Sequence, residues 1–169
     1  DLALHLDLEH YNHENIQPPT PCYKLMGDIS NINISKLLQE HGEEFGLPKD
    51  WGWAGPIPSA PDLYFRADTH VFNVDCSKAN DLTYAEMEGR RQMKAVIDVL
   101  RKYAPNGKDF RIVDICSHIG IRETRHFESD YRLNQDDLLH GVFFDDAIGY
   151  GTYPVDIHHA HDSGITFRH

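Results

Sequence analysis

Two short stretches of this chain concentrate the side chains able to do chemistry. Arg122, Glu123 and Arg125 lie in the block Ile119-Gly120-Ile121-Arg122-Glu123-Thr124-Arg125, directly after an apolar run. Guanidinium groups grip carboxylates and phosphates through paired hydrogen bonds, so Arg122 and Arg125 are candidates to anchor an anionic ligand. On an extended chain Arg122 would face one side, with Glu123 and Arg125 on the other. The same charges could instead clamp a junction between packed elements, with no chemistry at all. Asp156 and His158 form the second stretch, within Tyr153-Pro154-Val155-Asp156-Ile157-His158. Residues two apart share a face of an extended chain, and a carboxylate beside an imidazole tunes it as an acid or base near neutral pH. The plainer alternative is that the pair satisfies backbone groups at a turn.

Other residues carry weaker signals. The tail His158-His159-Ala160-His161-Asp162 has ligand-type side chains for a divalent ion, but its spacing matches no ligand pattern, so no metal site is expected there. Trp51, Trp53 and Tyr64 could stack on a sugar or substrate ring, or simply pack under a loop. Cys22, Cys76 and Cys116 form no C-x-x-C pair, and Cys116, in an apolar run, reads as inert core.

The elements that must position these groups can be read in part. Leu2, Leu4, Leu6 and Leu8 alternate with polar residues, which suggests a strand within Asp1 to Asn15. Gln17-Pro18-Pro19-Thr20-Pro21 breaks it, and Cys22 to Met26 reads as a short strand. Ser35 is a candidate cap for a helix reaching Phe45, closed by Gly46. The Pro- and Gly-rich segment from Leu47 to Pro61 suggests an ordered loop, and Tyr64 to Asp75 one or two strands with Val71, Phe72 and Val74 inside. Thr83 and Glu86 have capping-box spacing at the head of an amphipathic run. Gly89, Met93, Val96, Ile97, Leu100, Tyr103 and Ala104 then fall on one helical stripe, ended by Pro105-Asn106-Gly107. Phe110 to Ser117 reads as a buried strand, and Ile121 to Leu133 as extended segments. Asn134 caps a short helix over Gln135 to His140, Phe144 to Ile148 suggests another helical turn, and the tail from Tyr153 reads as irregular. Strands and helices mix without a βαβ rhythm. The expected fold is therefore α+β: a mixed or antiparallel sheet packed against one long amphipathic helix, with short helices and long ordered loops.

Bulk properties narrow the function. At 169 residues the chain is a natural size for one domain with a real core. A formal net charge of -11 without a basic stripe argues against nucleic acid as a partner. No apolar run approaches the roughly 20 residues that cross a bilayer, so no membrane partner is expected. No secretory leader opens the chain, and the unpatterned thiols suit a reducing compartment such as the cytoplasm. A start at Asp1 fits a processed or excised segment.

The run from Asp75 to His158 resembles the FAD-dependent oxidoreductase family, many of whose members are bacterial. The matching blocks are Asp81 to Gln92 (Asp-Leu-Thr-x-Ala-Glu-x-Glu-Gly-Arg-Arg-Gln), Ile119 to Arg125, Tyr131 to Asp137 (Tyr-x-Leu-x-x-x-Asp), Phe144 to Ile148, and Tyr153 to His158. Cys22 to Gly42 is similar more loosely. His126 departs from the pattern, which usually continues with a basic or aliphatic residue. The resemblance implies a substrate-side middle domain of a flavoprotein, with FAD bound in the full-length parent. It also implies a small-molecule substrate and a flavin-binding remainder of the parent chain as partners. Arg122, Glu123 and Arg125 would then contact substrate or flavin, and His158 with Asp156 would carry the proton. The chain has no G-x-G-x-x-G after a strand, so no nucleotide-binding domain is expected within residues 1–169, nor tightly bound FAD or activity of this segment alone. Two other readings stay open. One is a carbohydrate or small-ligand binding module built on Trp51, Trp53 and Tyr64 without redox activity, and the other a metal-dependent hydrolase using the C-terminal histidines.

Overall fold

A long helix and a four-stranded sheet enclose the main core of the computed structural model, which describes residues 2–49 and 52–169. Trp51 lies outside the described residues. In chain order the elements are α1 (Leu2–His5), β1 (His10–Asn12), β2 (Tyr23–Met26), α2 (Ile34–His41), β3 (Trp53–Ile57), β4 (Ala60–Ala67), α3 (Ala79–Tyr103), β5 (Arg111–Ile115), β6 (Arg125–Phe127), α4 (Gln135–Leu139), β7 (Val155–His158) and β8 (Ile165–Arg168). Short 3-10 turns cover Gly42–Phe45 and Gly107–Asp109. The main sheet is antiparallel in the order β3-β4-β2-β5, while β1 pairs with β6 and β7 with β8 in separate ribbons. The α+β expectation holds.

The α3 stripe forms because its apolar residues recur at helical spacing and have a sheet to cover. Met93, Val96, Ile97 and Leu100 are buried, with Val99 beside them, and they meet Tyr23 and Leu25 of β2 and Phe110, while Gly89 is buried nearer the start of the helix. Each fully buried side chain of this size contributes about 1.5–3 kcal/mol. Arg101 and Lys102 suit the negative end of the helix, and Ala104, before Pro105, turns extended at φ -78° and ψ 144°. A buried polar group lies beside this core: the Tyr23 hydroxyl donates to Asp68 Oδ2 at 2.7 Å, and Arg66 Nε donates to the same oxygen at 3.0 Å.

A second, smaller core joins Val71, Cys76, Ala85 and Ile119. Here α3 comes close to the proline-rich segment: a Cβ on Gly89 would lie 3.1 Å from Pro21 Cβ and 3.3 Å from Ile119 Cδ1. Thr20 and Gly120 exchange both backbone hydrogen bonds at 2.9 Å, fixing the start of the Arg122 block against residues 18–21.

Several local expectations give way to tertiary structure. The leucine alternation before Asn15 yields a helical turn and a three-residue strand, with Asp7 at φ 53° between them. Asn33, not Ser35, caps α2 by accepting the Lys36 amide at 2.9 Å. Helix α3 starts at Ala79, ahead of the capping-box pair, so Thr83 Oγ1 donates back to Ala79 O and Glu86 Oε1 instead accepts the Ile119 amide at 2.7 Å. Strand β4 ends at Ala67, and the irregular segment after it buries Asp68, Thr69 and His70 as well as Val71. Strand β5 lies at the sheet edge with only Ile112 partly covered, and Cys116 is exposed rather than core. Phe144 to Ile148 bends without forming a helix, whereas the tail forms the β7–β8 ribbon. The Asn134 cap is present with its reciprocal Asp137 partner. No helix among the described residues is long and apolar enough to cross a membrane.

Candidate active site

Arg122 and, more than thirty residues later, Asp156 and His158 line one cavity of about 620 Å³. A volume of this size suits a small-molecule site. Gly52, Trp53 and Ala67 form one wall, at the paired ends of β3 and β4, and the β7–β8 ribbon with Tyr153 and Phe167 forms another. Gly52 is required by this wall, because a Cβ there would fall 1.6 Å from Ala67 O. Trp53, Tyr153 and Phe167 leave large apolar surfaces exposed around the opening.

The cation of the site is held in place by neighbouring side chains. Arg122 Nη2 donates to Thr20 Oγ1 at 2.7 Å and lies 3.3 Å from His70 Nε2. Thr20 and His70 are both buried, so the guanidinium is anchored by side chains that cannot move far. The His70 ring stands 4.7 Å from the His158 ring, tilted by 54°. The buried His158 places Nε2 3.8 Å from Asp156 Oδ1, as expected for residues sharing one face of a strand. Its backbone N–H donates to Gln17 Oε1 at 2.9 Å.

Neither Glu123 nor Arg125 lines the cavity, and residues 121–124 form no strand whose alternation would set their faces. The Glu123 carboxylate accepts the Gln17 amide on Oε2 at 3.0 Å and meets His126 Nε2 at 2.7 Å and His13 Nδ1 at 3.1 Å on Oε1. Burial pushes this carboxyl up, but the Gln17 amide, His126 and His13 together more than offset it, and the group sits below the ordinary glutamate value. Arg125 Nη2 donates to Ser77 O at 3.4 Å, toward the turn before α3. Of the remaining tail histidines, His159 faces Asp162 and Thr166, and His161 bridges Asn73 and Asn15.

Sequence reading missed His70, Thr20 and Gln17. Only His70 carried a signal, polarity where an apolar strand was expected: Asp68-Thr69-His70 interrupts the run from Tyr64 to Asp75, and buried polar groups of this kind need designated partners.

The family model described as FAD dependent oxidoreductase matches residues 10–168, and the chain belongs to that family. No curated relative and no solved structure matches it. The residues present fit the ring portion of a flavin. Exposed aromatic faces line an opening of suitable size, and a fixed guanidinium stands beside it, where charge on a reduced flavin or an anionic substrate needs a partner. The sequence contains no Gly-rich turn suited to the dinucleotide's phosphates.

Proposed function

We propose, with membership of the FAD dependent oxidoreductase family as the premise, that this chain forms the substrate-side middle part of a flavoprotein. Its cavity receives the flavin ring face and a small anionic substrate, while phosphate binding falls to polypeptide with a Gly-rich turn. The observation that carries this reading is the convergence of Arg122, Asp156 and His158 on one cavity with an aromatic rim.

Bound flavin supplies two-electron chemistry that no side chain here can perform. Arg122 orients the substrate: its hold on Thr20 fixes the guanidinium plane so that an incoming carboxylate meets preset donors. His158 accepts or returns a proton at its ring, and the nearby Asp156 carboxylate favours the imidazolium that forms. Gln17 keeps the His158 backbone in place, and Glu123 keeps Gln17 in place. Trp53, Tyr153 and Phe167 exclude water from a ligand that covers them.

Titration of riboflavin, FMN and FAD into the chain, followed by flavin fluorescence, tests the reading. Saturable quenching with similar, weak affinities for all three is expected, because the ring is recognised and the phosphates are not. Tight stoichiometric binding of FAD alone would show that the chain holds its own phosphate site and would overturn the middle-part assignment.

A further inference from the structure

We infer that His13, Glu123 and His126 form a binding site for a divalent transition-metal ion of the zinc class, separate from the cavity. Both imidazole nitrogens approach the same carboxylate oxygen, Glu123 Oε1, from His13 Nδ1 at 3.1 Å and His126 Nε2 at 2.7 Å. All three candidate ligand atoms lie within 4.8 Å of one another. In a tetrahedral zinc site with bonds of about 2.0–2.1 Å, ligand atoms stand roughly 3.3 Å apart, so small side-chain rotations bring this group to ligating geometry. Two imidazoles and one carboxylate are a common protein donor set for such ions, with remaining positions left to water.

The surroundings suit the role. The Glu123 side chain is 9% exposed and is oriented by the Gln17 amide on Oε2, the backbone contact that typically fixes a ligating carboxylate. His126 is held in register by β1–β6 pairing opposite Tyr11, whose ring stacks on it at 5.2 Å. His13 stacks on the other imidazole at 4.4 Å, and at 51% exposure it has room to turn its lone pair toward an ion and to admit water. Both imidazoles present a ring nitrogen to the same carboxylate oxygen. A divalent ion would take the place of these two hydrogen bonds by accepting the lone pair of each deprotonated ring nitrogen. Such an ion would staple the end of β1 to the segment next to Arg122, so its binding stabilises the site without belonging to it.

Zinc chloride titrated into the full chain by calorimetry, in a non-chelating buffer at neutral pH, tests this. One ion per chain is expected, with affinity reduced by about tenfold or more in Glu123→Gln and in His126→Ala, the scale on which even outer-shell changes act. His161→Ala should bind as the unaltered chain does. Cobalt loading should give visible d–d absorption that disappears in His126→Ala. Circular dichroism reports whether the variants fold, and the exposed His13→Ala serves where the two less exposed substitutions do not. Absence of saturable binding, binding that persists in Glu123→Gln and His126→Ala, or loss confined to His161→Ala would each overturn the proposal.

Discussion

Gln17 joins Glu123 to His158: its amide donates to the Glu123 carboxylate at 3.0 Å, and its side-chain oxygen accepts the His158 amide at 2.9 Å. Residues far apart in sequence are thereby held at a fixed spacing, with the cavity on one side and the histidine pair on the other. Gln17→Ala removes the second bond only. The expected cost is about 1 kcal/mol, the net value of a typical hydrogen bond, measured as a shift in the urea midpoint without change in slope. An unchanged midpoint would mean that His158 is held by other contacts.

Gly52→Ala should be far more damaging than an exposed alanine normally is. The added methyl would meet Ala67 O at 1.6 Å, so β3 and β4 must separate where they form the cavity wall. A loss of at least about 2–3 kcal/mol is expected, the range for forced overpacking, together with loss of ligand-induced quenching. Thermal melts and flavin titration of this variant check both parts.

The chain should lose stability in alkali through Tyr23. Burial, then the Asp68 charge, push this phenol well above its ordinary value. The folded state thus keeps a proton that the unfolded chain releases above about pH 10. The stabilisation is complete below that pH and is lost as pH rises toward the folded value, at up to about 1.4 kcal/mol per pH unit. Tyr23→Phe should be less stable at neutral pH, because Asp68 loses a donor, but its stability should fall less steeply above pH 10. Equal slopes in the two proteins would contradict this assignment.

Thiol reactivity should follow exposure. Cys116 is exposed, Cys22 is half-buried and its thiol is pushed up by burial and by Cys116, and Cys76 is buried and likewise pushed up by burial. Labelling under native conditions should modify Cys116 first and Cys76 last, as mass spectrometry of timed digests would report. Early modification of Cys76 would mean that the smaller core opens readily.

The features legible in the sequence were those set by local pattern. The α3 stripe appeared because its apolar spacing is helical over many turns, and Asn134 because its capping contact spans only three residues. Asp156 and His158 share a face for the same reason, since alternation depends on the strand alone. What escaped depends on remote partners. Glu86 looked like a capping residue but serves the Ile119 amide, 33 residues away. Cys116 looked like core because apolar residues precede it, yet β5 has a partner on one side only. His70 acquires meaning only where Arg122, 52 residues on, reaches it. The grouping of His13 with Glu123 and His126 likewise needed the β1–β6 ribbon, which no local pattern announced.

A flavin and anion site formed by Arg122 and the aromatic rim can be probed by titrating variants. Flavin fluorescence should be followed in the unaltered chain, in Arg122→Ala and in His140→Ala, an exposed histidine that does not line the cavity. Loss of a charge-assisted contact of about 1.5–3 kcal/mol predicts roughly tenfold or greater weakening in Arg122→Ala and none in His140→Ala. Small carboxylates should bind beside the flavin without displacing it, and only where Arg122 is present. Quenching that is identical in all three proteins, or glycan binding that requires Trp53 and ignores Arg122, would rule out such a site.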